Sequence, residues 1–194
     1  MGSIYLGLLH YPIYNRNGDI ITTAVTNFDI HDIARTSRTY GLKKYFIINP
    51  LQSQLDLAAE ILDYWQNGAG AKYNADRKEA FHILQTVPDL ADAVHSISVA
   101  EGQKPIIVAT DARNYGNSMS YRKLRQQIET TSNPLLLLFG TGWGIEKTLV
   151  SSFDYLLEPI YGCSDYNHLP VRAAVAIILD RLLGEDWWNS SDVK

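Results

Sequence analysis

Short apolar blocks separated by stretches of helical period constrain this chain more than any other feature. Ile4-Tyr-Leu-Gly-Leu-Leu9, Tyr45-Phe-Ile-Ile48, Pro105-Ile-Ile-Val-Ala109 and Leu135-Leu-Leu-Leu-Phe139 each read as a buried strand. Asp154 to Leu157 gives a last strand, and the region from Asp76 to Val87 suggests a helical turn followed by a strand around Phe81 to Leu84. Between these lie helical patterns. One is capped by Asn27 or Asp29, carries Ile30, Ile33 and Ala34, and ends at Gly41. Others cover Leu51–Trp65, Leu90–Val99, Tyr121–Ile128 and about Pro170 to Leu183, with Pro170 in the first turn. The alternation predicts an α/β domain with a largely parallel sheet. At 194 residues, without repeats or a low-complexity linker, a single domain over 1–194 is expected, with a frayed tail from Asn189 to Lys194.

Composition narrows the class. Hydrophobic residues at 46% and charged ones at 20% fit a soluble globular chain rather than a disordered one. No apolar run approaches the roughly 20 residues that cross a bilayer, and the N-terminus lacks the pattern of a secretory signal. Cys163 is the single cysteine, which excludes an intrachain disulfide and a cysteine-based zinc site. No metal and no membrane partner are expected, and a cytoplasmic location is the default. The net charge of −4 argues against a dedicated nucleic-acid binder. An RNA face would have to be assembled locally, from Arg35, Arg38, Lys43 and Lys44 and from Arg113, Arg122, Lys123 and Arg125.

Three segments look unlike ordinary core or loop. Leu135 to Ile145 is a strand running straight into Gly140-Thr-Gly-Trp-Gly144, with glycines at alternate positions. Glycine lets backbone approach a ligand or take positive φ. This spacing is neither the dinucleotide nor the P-loop fingerprint, and a ligand cradle and a plain strand-to-helix turn explain it equally well. Glu158 to Ala174 is a turn-rich stretch before an apolar helix, with Asp165, Asn167 and His168 gathered where free N–H donors are expected. Capping by Asn167 would explain one of the three. Arg172 is suited to an acidic neighbour or to a partner chain. In Thr26 to Gly41, helical spacing brings His31, Arg35 and Arg38 near one face, suited to phosphate or ribose contact; a solvated helix face serves as well.

Taken in chain order, these segments resemble the three motifs of SPOUT RNA methyltransferases. Tyr166-Asn-His-Leu-Pro-Val-Arg-Ala-Ala174, followed by an apolar helix, is similar to a small SPOUT family described as RNA methyltransferases, and the likeness runs from Tyr5 to Leu183. Asn27 through Arg35 to Gly41 resembles the Asn…Ala-Arg…Gly motif of the 2′-O-methyltransferases, in which the arginine at the place of Arg35 is the catalytic candidate. Phe139, Gly140, Thr141, Gly142 and Gly144 resemble the loop whose backbone holds the cofactor; Pro159, Ile160 and Gly162 resemble the next loop; Asn167 matches the Asn of the last motif. Two departures stand out: Thr141 where the 2′-O class usually has Glu, and an insertion His168-Leu-Pro170 before Val171. Both bear on the target atom.

The resemblance implies a C-terminal deep trefoil knot over about residues 105–184, helices on both sheet faces, an obligate homodimer with the last helix at its interface, and S-adenosylmethionine as cofactor. Thr110 and Leu169 would complete the cofactor pocket, while Asn27, His31 and Arg38 would meet the substrate. The acceptor is expected to be RNA, tRNA or rRNA, methylated at a ribose 2′-oxygen or a base nitrogen. Arg35 would orient a phosphate or stabilise developing charge, since a guanidinium is a poor base. Asp165 or His168, or His31 of a second subunit, would take a proton from a base nitrogen. A SPOUT enzyme acting on a non-RNA substrate, a non-catalytic RNA-binding module and a generic nucleotide-binding enzyme are the competing readings.

Overall fold

The structure, a computed structural model, describes residues 2–164 and 166–185. The expected frayed tail and Asp165 lie outside the described residues. In chain order the elements are β1 (Ile4–Leu9), β2 (Ile13–Tyr14), β3 (Ile20–Ile21), α1 (Asn27–Thr39), β4 (Lys44–Ile48), α2 (Gln52–Gln66), α3 (Ala69–Tyr73) and α4 (Ala75–Phe81). There follow β5 (Leu84–Val87), α5 (Leu90–Glu101), β6 (Ile106–Thr110), α6 (Tyr121–Thr130), β7 (Leu135–Gly140), α7 (Lys147–Val150), β8 (Tyr155–Leu156) and α8 (Val171–Leu183).

Six strands form one parallel sheet in the order β5-β4-β1-β7-β6-β8. At its centre Leu6 stands opposite Tyr45 on one side and Leu137 on the other. Every residue of β1 is buried, and so are all of β7 except its last, because both sheet faces are covered. This is why those strands read as continuous apolar runs. On one face Leu6, Leu8 and Leu137 pack with Ile30 and Ile33 of α1, Ala58 of α2, Phe81 of α4, Leu124 of α6 and Val175 of α8. On the other, Tyr5, Phe46 and Leu136 meet Ala93 and Ile97 of α5, Val150 of α7 and Ile13 of β2. After β1 the chain builds outward to β4 and β5 on one side, and β7 and β6 fill the other. The order therefore reverses between β1 and β7, and a crevice is expected outside their carboxyl ends.

Local chemistry corrects several expectations. Thr26, not Asn27 or Asp29, caps α1: its Oγ1 accepts from the Asp29 amide at 3.2 Å and its hydroxyl donates to the Asp29 carboxylate at 2.6 Å. Thr26→Ala should lower stability by about 1 kcal/mol, read from the urea midpoint. The strand expected around Phe81 to Leu84 begins at Leu84, because Asn74 caps a helix that carries Phe81 into the core as its last residue. Pro170 is the cap residue of α8 rather than a residue of its first turn. The β2–β3 hairpin is not foreseen by periodicity. It closes through Asn15, whose Oδ1 accepts from the amides of Asn17 and Asp19, and through Gly18 at φ +88°. No helix among the described residues is long and apolar enough to cross a membrane.

Candidate active site

The reversal point opens onto a cavity of about 1050 Å³. Four pieces of chain wall it: Thr110 to Arg113 from the end of β6, Phe139 to Gly144 from the end of β7, Glu158 to Ile160 with Asn167 to Arg172, Ala174 and Ile178 leading into α8, and Thr23 to Asp29 at the entry to α1, of which Val25 and Asn27 are not part of the lining. Of the residues predicted to hold a cofactor, the structure brings Thr110, Phe139, Gly140, Thr141, Gly142, Gly144, Pro159, Ile160, Asn167 and Leu169 onto this wall, together with His168. Gly162 is exposed and away from it. Asn27 is exposed on the first turn of α1, between the lining residues Thr26 and Phe28.

The glycine loop is pinned to the hairpin: Trp143 N–H donates to the Tyr14 carbonyl and Tyr14 N–H to the Gly144 carbonyl, each at 3.0 Å. Gly142 sits at φ +53° and Gly144 at φ +96°. The room that side chains would need there is taken by the protein itself. A Cβ on Gly142 would come within 2.9 Å of Ile13 Cγ2, and one on Gly144 within 2.7 Å of Arg113 Nη2. The glycines thus let the loop close against β2 and Arg113, and Trp143 is left 57% exposed at the cavity wall.

Arg113 donates to Asp111 at 2.6 Å and to the Ile145 carbonyl at 3.1 Å, with its guanidinium over the rings of Tyr14 and Tyr115. The Asp111 hydrogen bond holds its pKa above the usual arginine value. Within this chain Arg172 pairs with Asp32 at 3.4 Å and with Asp29 at 4.0 Å, over the ring of Phe28. Asn167 does not cap α8; its Nδ2 donates to the Ala112 carbonyl at 2.9 Å, tying the loop before α8 to the loop after β6.

The α1 trio diverges. His31 packs edge-on against Trp65 and Phe81, with ring centroids 5.2 and 4.8 Å away, and burial lowers its pKa with help from the Arg77 charge. Arg38 is ion-paired with Glu79. Arg35 is exposed and lines a shallow cleft of about 400 Å³ with Asp32, Thr36, Thr39, Tyr40 and Ala176 of α8. Helical spacing put the three near one face, but the residues packed against α1 draw each to a different neighbour.

His10, directly after β1 and buried behind the cavity wall, was missed by sequence reading, as were the lining residues Thr23, Phe28, Asp111 and Trp143. His10 is fully buried, and its Nδ1 lies 2.9 Å from Thr23 Oγ1. Burial pushes its pKa down to about 4 from 6.5, partly offset by the Thr23 backbone. In the unfolded chain it would titrate near 6.5. The folded state therefore resists the proton that the unfolded state takes up. Stability should be highest above pH 6.5, fall as pH drops towards 4, and level off below, a loss on the order of 3 kcal/mol. Urea midpoints across that range should flatten in His10→Phe. Among the described residues, no group of three or more His, Cys, Asp or Glu is placed to hold a metal ion.

The profile of a family described as SAM-dependent RNA methyltransferase matches residues 3–184. An uncharacterized protein of Aquifex aeolicus is 42% identical over 184 residues, covering 95% of this chain and 90% of that protein. A tRNA (guanine-N(1)-)-methyltransferase of Oleidesulfovibrio alaskensis is 38% identical over 183 residues, covering 94% of this chain but only 42% of that enzyme. The chain thus spans less than half of that relative. Among solved structures, a probable methylase family protein from Haemophilus influenzae superposes with a TM-score of 0.61 at 18% identity, over 93% of this chain and 63% of that one. The SpoU methyltransferase AviRb of Streptomyces viridochromogenes, solved with AdoMet, gives 0.55 at 14%, over 94% and 59%. These structural likenesses speak for the fold. With the profile covering nearly the whole chain, the protein belongs to the SAM-dependent RNA methyltransferase family, with S-adenosylmethionine as its methyl donor.

Proposed function

We propose that the cavity at the carboxyl ends of β6 and β7 is the S-adenosylmethionine site, and that the chain acts as a homodimer methylating a tRNA nucleotide at a base nitrogen or ribose 2′-oxygen. One observation carries this reading: loops far apart in sequence converge on one cavity where the strand order reverses. The residues present suit the cofactor. Phe139, Ile160, Leu169 and Ile178 offer apolar wall for an adenine. None of the described residues of 158–170 belongs to a helix or strand, which leaves main-chain amides and carbonyls there for polar edges. When bound, S-adenosylmethionine supplies an already activated methyl group, so the protein has to align the acceptor and relieve it of a proton.

On the acceptor side, Trp143 and Phe28 expose large rings at the cavity wall, where a nucleobase can stack. His168 is on the same wall and is chemically suited to accept a proton. Arg35 does not line the cavity of its own chain. A second subunit docked along α1 and α8 would supply it, consistent with its cleft being shared with Ala176. The trefoil knot over about residues 105–184 belongs to this proposal too, supported by likeness to SPOUT structures. The tRNA preference is supported by the names of the longer relatives.

A thermal-shift panel tests the cofactor assignment. S-adenosylhomocysteine should raise the melting temperature, by about 2.7 kcal/mol of added stability at one hundred times its Kd, and ATP should not. Radiolabelled methyl transfer to total RNA from cells lacking the protein, followed by nucleoside analysis, tests the acceptor. Stabilisation by ATP alone, or labelled donor with unlabelled RNA, would count against the reading.

A further inference from the structure

A chain of hydrogen bonds runs from the buried end of β1 to the cavity wall. His10 Nδ1 is 2.9 Å from Thr23 Oγ1, which is 2.5 Å from Thr141 Oγ1, which lies 3.2 Å from the Leu9 carbonyl oxygen. Thr23 and Thr141 both line the cavity, while His10 is fully buried behind them.

Counting protons gives the chain its direction. With the imidazole proton on Nδ1, His10 donates to Thr23, Thr23 to Thr141, and Thr141 to the Leu9 carbonyl. All three protons then reach an acceptor. The opposite tautomer places the proton on Nε2, a buried atom with no hydrogen-bond partner, and a buried orphan N–H carries its full desolvation penalty. The other outlet for the Thr23 proton, the His10 carbonyl, is 3.5 Å away and already accepts the Thr23 amide at 2.9 Å. Burial keeps the imidazole neutral at physiological pH, so it has one proton to give.

A hydroxyl oxygen has one proton and two lone pairs. In Thr141 the proton goes to Leu9 and one lone pair receives Thr23. What remains for the cavity is a single lone pair. We infer that Thr141 is a ligand-positioning residue presenting the methyl donor with a hydrogen-bond acceptor and no donor, its polarity fixed by His10 and Thr23. The matching group is an N–H or O–H of S-adenosylmethionine. The inference rests on the cavity being the cofactor site, as proposed above.

Calorimetry with S-adenosylhomocysteine tests it on the full chain. Thr141→Val, which keeps shape and removes the oxygen, should weaken binding about tenfold. Thr141→Ser should stay within about twofold, and Thr23→Val, which releases the orientation, should lose about threefold. Repeating the Val comparison with 5′-methylthioadenosine locates the donor: a persisting penalty assigns it to the adenosine, a vanished one to the amino-acid ammonium, and both support the inference. Folded Thr141→Val binding like the wild type overturns it. Nitrogen NMR of His10 gives a check without any variant: a proton on Nδ1 is expected, and a proton on Nε2 overturns the relay. Wild-type protein that takes up no S-adenosylhomocysteine overturns this inference and the cavity assignment together, whereas failure of the Val or tautomer result alone leaves the cavity assignment standing.

Discussion

Gly142→Val is expected to abolish binding of S-adenosylhomocysteine and to destabilise the protein by about 3 kcal/mol. Two effects add. A side chain at φ +53° is held in left-handed backbone, which costs about 1–2 kcal/mol. Its Cβ would also lie 2.9 Å from Ile13 Cγ2 and 3.0 Å from the Tyr14 carbonyl, an overpacking of about 1–3 kcal/mol. Relief requires the loop to part from the β2–β3 hairpin, breaking the pair of main-chain bonds between Tyr14 and Trp143–Gly144. Thr141 and Gly140 line the cavity on that same loop, so its wall moves with them. Gly162→Ala is the control for stability: a Cβ there meets nothing within 4 Å, and the urea midpoint should be unchanged. Urea unfolding and calorimetry on the two variants separate the effects.

Arg35→Ala is expected to lower methyl transfer about 100-fold or more while leaving cofactor affinity intact. The separation follows from position, since Arg35 is exposed in the α1–α8 cleft and does not line the cavity. Loss of a well-placed cation from a developing charge or a positioned phosphate is worth roughly this factor. Subunit mixing extends the test. Two inactive proteins, Arg35→Ala and Gly142→Val, should regain activity when allowed to exchange subunits, because in the proposed dimer a mixed pair has one cavity and one arginine that belong together. If each site uses its own arginine, mixing restores nothing. Equal loss of cofactor affinity and transfer in Arg35→Ala would show that the division of roles is mistaken.

The strands that build the sheet centre were legible because burial on both faces leaves only apolar residues: β1, β4, β6 and β7 all coincide with runs visible by eye. The β2–β3 hairpin was not, since two-residue strands leave no periodic trace and only Asn15 to Gly18 signals the turn. The boundary between α4 and β5 was misplaced because Phe81 and Leu84 are both apolar and straddle it. At the site, the glycine loop and the loop before α8 stood out by composition. Their partners did not. His10, Thr23 and Thr141 are brought together by the parallel pairing of β1 with β7 and by the return of the hairpin, and nothing local in sequence links them. The polar neighbours that draw Arg38 to Glu79 and Arg172 to Asp32 are likewise tertiary.

A crystal structure of the protein with S-adenosylhomocysteine would test the central assignment most directly. The ligand is expected between the Phe139–Gly144 loop and the segment 158–170, its adenine against Ile160 and Leu169. Well-ordered ligand anywhere else on the molecule, with this cavity holding only solvent, would contradict it.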